Sequence, residues 1–315
     1  MRRGRPLRTG SRRLPSVQVL VLATLDGIAY GALVFLVAVG LTLVFGVMRI
    51  LNVAHGSFYA LGAYAAASIG GALASAGLSP WLAYPMFIVA AVLVGVVVGG
   101  LMERFLLQRI YGHEETLQLL VTFAVFMILD NAQRLIWGVQ PYFYSEPLRL
   151  LGNVKIAGIT YTAYQTLFLP LVALAVLFGL RWFLRYTLAG SVIVAVTEDR
   201  EAATAVGINA RRVFFLTFVI GVTLASLGGA LASPTTSVLP GMGAEMIVLS
   251  FAVAATAGLG QIEGAAVAAL MIGLGRSMAV FFAPELEVVM PYIIMVLVLL
   301  IRPEGLFGKS TARKI

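Results

Sequence analysis

The stretch RILNVAHGSFYALGAYAAA, residues 49–67, places an arginine, an asparagine and a histidine between two apolar segments. A long, mostly apolar segment precedes it, and the chain becomes apolar again after Gly56. A helix needs about 20 apolar residues to cross the hydrocarbon of a bilayer. The pattern therefore predicts two membrane segments with a polar break between them.

The composition of the whole chain supports a membrane protein. Of the 315 residues, 60% are hydrophobic and 11% are charged, and the mean hydropathy is +0.98. Soluble domains contain about 25% charged residues. A soluble core cannot absorb this much apolar surface, so we predict an all-α integral membrane protein.

Several kinds of chemistry are excluded by residue counts. The chain has no cysteine, which rules out disulfides and thiolate sites, and two histidines argue against a histidine metal centre. The formal charge of +8 comes from basic residues in short loops between apolar segments, which is a topology signal. We therefore expect no metal, no cofactor bound by this chain and no nucleic acid partner.

Apolar runs divide the chain into membrane segments. We predict a polytopic helix bundle of about eight to nine transmembrane segments, with a broken or re-entrant first region. The segments are 17–47, 56–77, 81–107, 117–137, 160–181, 213–234, 246–262, 264–282 and 287–301.

The basic residues predict which loops face the cytoplasm. Of the 22 Lys and Arg residues, 17 lie in the first 13 residues, in 103–115, in 181–212 and after Ile301. Cytoplasmic loops are enriched in such residues. The predicted divisions are a basic cytoplasmic tail at 1–16, one transmembrane domain at 17–302 with a cytoplasmic loop at 184–212, and a cytoplasmic tail at 303–315.

The number of crossings before the 103–115 loop is inconsistent with this assignment. Three segments precede that loop, whereas two cytoplasmic ends require an even number. The segment 17–47 is bent at Gly27, Gly31 or Gly40, or the N-terminus lies outside, or the break at 49–55 is re-entrant. We favour the irregular first segment, because it exceeds one span in length and contains Asp26.

Charged residues interrupt or flank the apolar segments. A purely structural bundle predicts few of them, because an ionised side chain at the bilayer centre costs about 2.5 to 3.5 kcal/mol. Asp130 and Arg134 are four residues apart, which predicts an ion pair on one helix. Glu263 and Arg276 could pair across neighbouring helices, and Asp26 interrupts the first segment.

A polar stretch, AVTEDREAATAVGINARRVFF at residues 195–215, lies in the large basic loop. Thr197 can cap a helix, and Gly207 can end it in a left-handed conformation. We predict a short helix of two to three turns with a small, charged face. It is either an ordinary surface helix or one that docks in a groove of another protein.

Three motifs carry a family resemblance. EDREAATAVGIN followed by RVFFLTFVIG resembles the coupling loop of ABC importer permeases, and GLTLVFGVMRILNVAHGSFYALGAY and LVLLIRPEGLFGK resemble the start and end of the branched-chain amino acid permeases. The resemblance extends from about residue 25 to 309. AATAGLGQIEGAAVAAL departs from the family pattern at Gln261 and Glu263.

This resemblance implies a permease subunit of an importer in the bacterial inner membrane. Its partners would be two cytoplasmic ATPase subunits that use ATP, a second permease subunit and an extracytoplasmic substrate-binding protein. Arg211 and Arg212 would anchor the next crossing. The implied ATPase-coupling residues are Glu198, Asp199, Arg200, Glu201, Ala202, Ala203, Gly207, Ile208 and Asn209.

The resemblance also bears on the break. Transporters use broken helices near the substrate path, so we expect Asn52, His55, Gly56 and Ser57 to lie at the translocation path. Asn52 and His55 would satisfy the freed backbone groups or line the path, and Gly56 would allow the sharp turn. The alternative is an ordinary loop at the membrane surface.

Two other functional classes, an enzyme and an ion-coupled transporter, fit the sequence less well. PEGLFGKS resembles a phosphate-binding P-loop, but Pro303 replaces its first glycine and a membrane segment precedes it, so we expect no ATPase site and no enzyme activity. An ion-coupled secondary transporter would use Asp26 or Asp130. The alternative substrate for an ABC permease of this kind is urea or a short-chain amide.

Overall fold

The computed structural model describes residues 17–308, and long apolar helices dominate this part of the chain. Seven helices are long and apolar enough to cross a membrane, and three shorter apolar helices accompany them. This confirms the all-α membrane bundle. The elements are α1 Val17–Met48, α2 His55–Ser75, α3 Pro80–Ile110, α4 Glu115–Trp137, α5 Glu146–Leu150, β1 Asn153–Ile156, β2 Ile159–Thr162, α6 Tyr164–Tyr186, α7 Leu188–Glu198, α8 Arg200–Ala205, α9 Ala210–Ala232, α10 Met242–Ala257, α11 Ile262–Phe282 and α12 Met290–Ile301.

The bundle has two ends. We call the end that carries residues 138–163 the hairpin face, because β1 and β2 pair there as an antiparallel hairpin. The end that carries residues 187–209, with α7 and α8, is the loop face.

The first helix is continuous, so the predicted bend in segment 17–47 is wrong. The helix runs unbroken for 32 residues. Its glycines serve close packing instead of bending. A Cβ on Gly27 would lie 2.8 Å from the backbone of Leu274, and one on Gly40 would lie 2.3 Å from the carbonyl oxygen of Gly221. Such contacts let α11 and α9 approach α1 closely.

The direction of α1 resolves the number of crossings. Near its start, Asp26 accepts a hydrogen bond from Tyr161 in the hairpin. Near its end, Gly46 lies against Gly260, on the side where α10 meets residues 302–308. The chain described here therefore enters α1 at the hairpin face, and three helices separate that point from the 103–115 loop. The predicted tail at 1–16 lies outside the described residues.

Helix α9 forms the centre of the bundle with α1. Helix α2 packs against it through Gly62 and Ser226, where a Cβ on Gly62 would lie 2.0 Å from the Ser226 carbonyl oxygen. Helix α3 packs against it through Gly95 and Gly99, which lie four residues apart. Lipid provides no hydrophobic driving force between helices, so the close packing that small residues allow holds the helices together at these crossings.

The segment after α12 returns to the end of α10. Leu306 N donates to Thr256 O at 2.9 Å, and Phe307 N donates to Ala257 O at 3.0 Å. The glycines of the P-loop-like stretch pack against Gly258, so this stretch acts as a cap for the last carbonyls of α10.

Candidate functional site

The break between α1 and α2 folds back into the bundle. Arg49 adopts φ +56°, a left-handed conformation that ends α1. The helix resumes at His55, whose Nε2 lies 3.2 Å from Val37 O and donates to it. Val37 is eleven residues before Met48, which corresponds to about 16 Å along a helix. Helix α2 therefore begins inside the protein, well short of the loop face.

A side chain from α4 satisfies the backbone of this break. Thr122 Oγ1 accepts from Val53 N at 3.3 Å and lies 3.2 Å from Leu51 O, to which it can donate. Asn52 Oδ1 accepts from Ala54 N at 3.1 Å. These contacts replace the helical hydrogen bonds that the break removes, as non-helical backbone at membrane depth requires.

The first turn of α2 is held from two sides. A Cβ on Gly56 would lie 2.1 Å from the carbonyl oxygen of Gly243, so only glycine fits against α10 here. On the other side, Gln133 Nε2 on α4 donates to Ser57 O at 3.3 Å.

The four predicted path residues lie together but are enclosed by protein. Asn52, His55, Gly56 and Ser57 are all buried. Asn52 Nδ2 and His55 Nδ1 have no hydrogen-bond partner among the described residues. Buried polar atoms without partners are costly and invite a functional explanation. Their part in translocation stays a prediction.

The predicted helix of the large loop is present but shorter, with a different cap. Thr197 lies inside α7, where its Oγ1 donates to Ile193 O, so its assignment as the cap is wrong. Asp199 adopts an extended conformation that separates α7 from α8, and its Oδ1 accepts from Ala202 N at 2.9 Å. Aspartate is a preferred helix cap for this reason. Helix α8 has six residues, fewer than the two to three turns predicted.

Gly207 ends this helix with φ +92°, as predicted. Asn209 then caps α9 through a 3.2 Å bond from Arg212 N to its Oδ1. Val206 is 79% exposed at the tip of the loop, and it is not among the predicted coupling residues. Its signal was a lone valine at the end of a short polar helix. Of the predicted coupling residues, Ala203 is buried, Ile208 is half-buried, and the exposed ones are Glu198, Asp199, Arg200, Glu201, Ala202, Gly207 and Asn209.

A chain of contacts joins this loop to α3. The Arg200 guanidinium carbon lies 5.1 Å from the centre of the Phe214 ring, and that ring meets Tyr111 edge-on at 5.1 Å. The Tyr111 hydroxyl donates to the fully buried carboxylate of Glu103, in a π-helical turn of α3. Burial and the bond to Glu103 raise the pKa of Tyr111, so the phenol keeps its proton. We call these four residues the relay.

The sequence matches one known family over most of its length. The profile of the family described as "Branched-chain amino acid transport system / permease component" matches residues 23–299. The chain belongs to this family. Both the break and the capped loop helix lie inside the matched region of this permease component.

Similar proteins cover nearly the whole chain. The high-affinity branched-chain amino acid transport system permease protein LivH of Escherichia coli K12 is 28% identical over 297 residues, covering 92% of this chain and 96% of LivH. BraD of Pseudomonas aeruginosa is 28% identical over 313 residues, covering 96% and 100%. The probable LivH of Methanocaldococcus jannaschii is 26% identical, covering 89% and 90%. No solved structure gave a comparable match.

Of the two ion pairs predicted from the sequence of this permease component, one is present and one is not. Asp130 and Arg134 form the predicted ion pair at 2.9 Å, and Asp130 also accepts from Gly241 N at 3.1 Å. The expected pair between Glu263 and Arg276 is wrong. Arg181 lies 3.5 Å from Glu263 at the loop face, whereas Glu287 pairs with Arg276 near the hairpin face. Positions on opposite ends of α11 keep the two residues apart.

Proposed function

We propose that this chain is a membrane-spanning permease subunit of an ATP-driven ABC importer that translocates branched-chain amino acids. Family membership carries this proposal, supported by the names of relatives that align along nearly their whole length. The substrate reaches the permease from an extracytoplasmic binding protein. Two cytoplasmic ATPase subunits use the ATP, and a second, related permease subunit completes the path.

The distribution of basic residues supports a cytoplasmic loop face. Arg104 and Arg109 lie at the end of α3 on this side, and Arg185, Arg211 and Arg212 flank α7 and α8. Basic residues are enriched on the cytoplasmic side of membrane proteins. This orientation suits a multi-pass protein of the bacterial inner membrane whose short helix α8 meets the ATPase.

The relay gives this contact a route into the membrane. When the ATPase subunits close, α8 moves with them. Arg200 and Phe214 transmit the shift to Tyr111, and Tyr111 transmits it to Glu103 inside α3. Beyond the exposed Arg200, the buried side chains of Phe214 and Glu103 transmit displacement because packed interiors have low compressibility. The π-helical turns of α3 are the segment that we expect to adjust, since such turns are frequent at functional sites.

The proposal is tested by pull-down in detergent, in which the purified chain is mixed with the ATPases encoded beside it in the genome. Glu201→Lys and Val206→Asp change exposed side chains of the loop face. Their matched controls are Glu146→Lys and Val139→Asp, which make the same changes on exposed residues of the hairpin face. We expect both loop variants to lose the ATPase and both controls to retain it.

Two results would contradict the coupling role. If the loop variants retained the ATPase as well as wild type does, α8 would not be the docking element. If wild type bound no ATPase at all, an ion-coupled transporter using Asp26 or Asp130 would replace the ABC importer. Membrane insertion of each variant is verified first by its yield and elution volume.

The break is proposed to serve the translocation path. Asn52→Ala and His55→Ala remove the two side chains that carry unpartnered buried atoms. We expect each to reduce uptake by the reconstituted importer while the complex still assembles. Asn131→Ala, on the exposed side of α4, is the control. Unchanged uptake in both variants would exclude this role.

A further inference from the structure

We propose that a cavity near the hairpin face is a seat for a zwitterionic aliphatic amino acid on its way through the permease. This outer cavity has a volume of about 410 Å³ and lies between α1, α10, α11 and the 233–241 loop. Ligand cavities are typically about 300 to 1,000 Å³. The inference rests on the proposed function and adds the residues that hold the substrate.

Arg276 supplies the positive charge of the outer cavity. Its guanidinium stands over the Tyr30 ring, 4.1 Å from the ring centre, and pairs with Glu287. A guanidinium has five N–H donors in a fixed fork, and the described hydrogen bonds of Arg276 use one of them. The remaining donors match a carboxylate, which arginine binds in two-point geometry.

Glu245 supplies a negative charge in the same cavity. It lies on α10, is exposed, and forms no ion pair with any residue in 17–308. A carboxylate only accepts hydrogen bonds, so it suits an ammonium group. Arg276 and Glu245 together offer opposite charges to the two ends of an α-amino acid.

An apolar surface lies beside these charges. Met242, Met246 and Leu249 line the outer cavity from one side of α10, at positions i, i+4 and i+7. Methionine side chains adapt to differently branched aliphatic groups. The site therefore suits valine, leucine and isoleucine alike, and it discriminates against side chains that carry charge.

A second cavity behind Arg276 supports a functional role for this region. It has a volume of about 250 Å³ and shares Tyr30, Thr236 and Arg276 with the outer cavity. Ser277 lines it, is 95% buried, and its Oγ has no hydrogen-bond partner among the described residues. Ionisable residues inside a membrane protein are expensive to place and mark substrate routes by default.

Equilibrium binding to the assembled importer in lipid nanodiscs, without the binding protein, tests the site. The probes are radiolabelled leucine, 4-methylpentanoate, which lacks the ammonium, and 3-methylbutylamine, which lacks the carboxylate. The variants are Arg276→Gln and Glu245→Gln. Arg149→Gln and Glu146→Gln are the controls, because they neutralise exposed charges on α5 at the same face.

The two substitutions are expected to weaken the binding of different probes. Arg276→Gln should weaken leucine and 4-methylpentanoate binding about tenfold, because a charge-assisted hydrogen bond is lost, and leave the amine unaffected. Glu245→Gln should weaken leucine and the amine about tenfold and leave 4-methylpentanoate unaffected. Both controls should bind all three probes as wild type does.

The proposal would be overturned if wild type bound no leucine, or if Glu245→Gln bound leucine and the amine normally. These results are read on complexes that retain ATPase subunits and ATP hydrolysis, so they leave the importer function standing. If Arg276→Gln does not assemble, Arg276→Lys keeps the charge without the fork and is expected to weaken leucine binding. Normal leucine binding by Arg276→Lys would then contradict the two-point contact.

Discussion

The break at residues 49–54 and the loop at 199–209 interrupt helices in opposite ways. In the break, backbone groups bond to Thr122, which lies about seventy positions along the chain, and the polar side chains are buried. In the loop, Asp199 and Asn209 cap residues three positions away, and most side chains are exposed. The break therefore depends on tertiary packing, whereas the loop largely determines its own shape.

This difference matches the two tasks proposed for them. A loop that is locally capped can present the same surface before and after an ATPase binds, so little ordering cost opposes docking. A break held by distant helices changes only when those helices move relative to each other. It can thus respond to motion of α4 and α10, both of which contact it.

The largest effect is expected from a glycine substitution, made once beside the break and once in the loop. Gly56→Ala should abolish folding, because its Cβ would lie 2.1 Å from the carbonyl oxygen of Gly243. Gly207→Ala meets no atom within 4 Å, and its left-handed conformation should cost about 1 to 2 kcal/mol. Yield of monodisperse protein in detergent measures both. Equal yields would show that the break is as tolerant as the loop.

A hydroxyl removal in each region has a smaller effect. Thr122→Val should lower the free energy of unfolding by about 1 to 3 kcal/mol, because Val53 N loses its partner inside the protein. Thr204→Val removes a bond from an exposed hydroxyl to Glu201 O and should change little. Thermal unfolding in one detergent compares them. If Thr204→Val lowered the free energy of unfolding as much as Thr122→Val does, the break and the loop would not differ in their dependence on tertiary packing.

The smallest expected effect concerns the loop cap. Asp199→Ala should weaken α8 by about 1 kcal/mol, which lowers ATPase affinity a few-fold. Asp199→Ser keeps a capping oxygen and should restore most of the affinity. Titration of the ATPase against each variant in nanodiscs measures this. If serine fails to rescue while the helix content is unchanged, Asp199 acts by direct contact with the ATPase.

Local signals in the sequence predicted several features well. The membrane segments, the left-handed end at Gly207 and the Asp130–Arg134 pair depend on residues a few positions apart. The cap was misplaced by two residues because Thr197 and Asp199 both have suitable side chains. The choice depended on which residue could be extended while α7 continued to Glu198.

Features set by tertiary packing could not be predicted in this way. The glycines of α1 meet α9 and α11 without interrupting the helix, and no local pattern distinguishes a packing glycine from a bend. The partners of Glu263 and Arg276 depend on which end of α11 each residue occupies. The outer cavity joins α1 to α10 and α11, which follow it only much later in the chain.

The cap that residues 306 and 307 place on α10 imposes an order on biosynthesis. Thr256 and Ala257 leave the ribosome fifty residues before their partners Leu306 and Phe307. At about 5 to 20 residues per second, this delay lasts roughly 3 to 10 s. During that time the last carbonyls of α10 are open to water or to a chaperone. The end of α10 is therefore completed only after α11 and α12 have been synthesised.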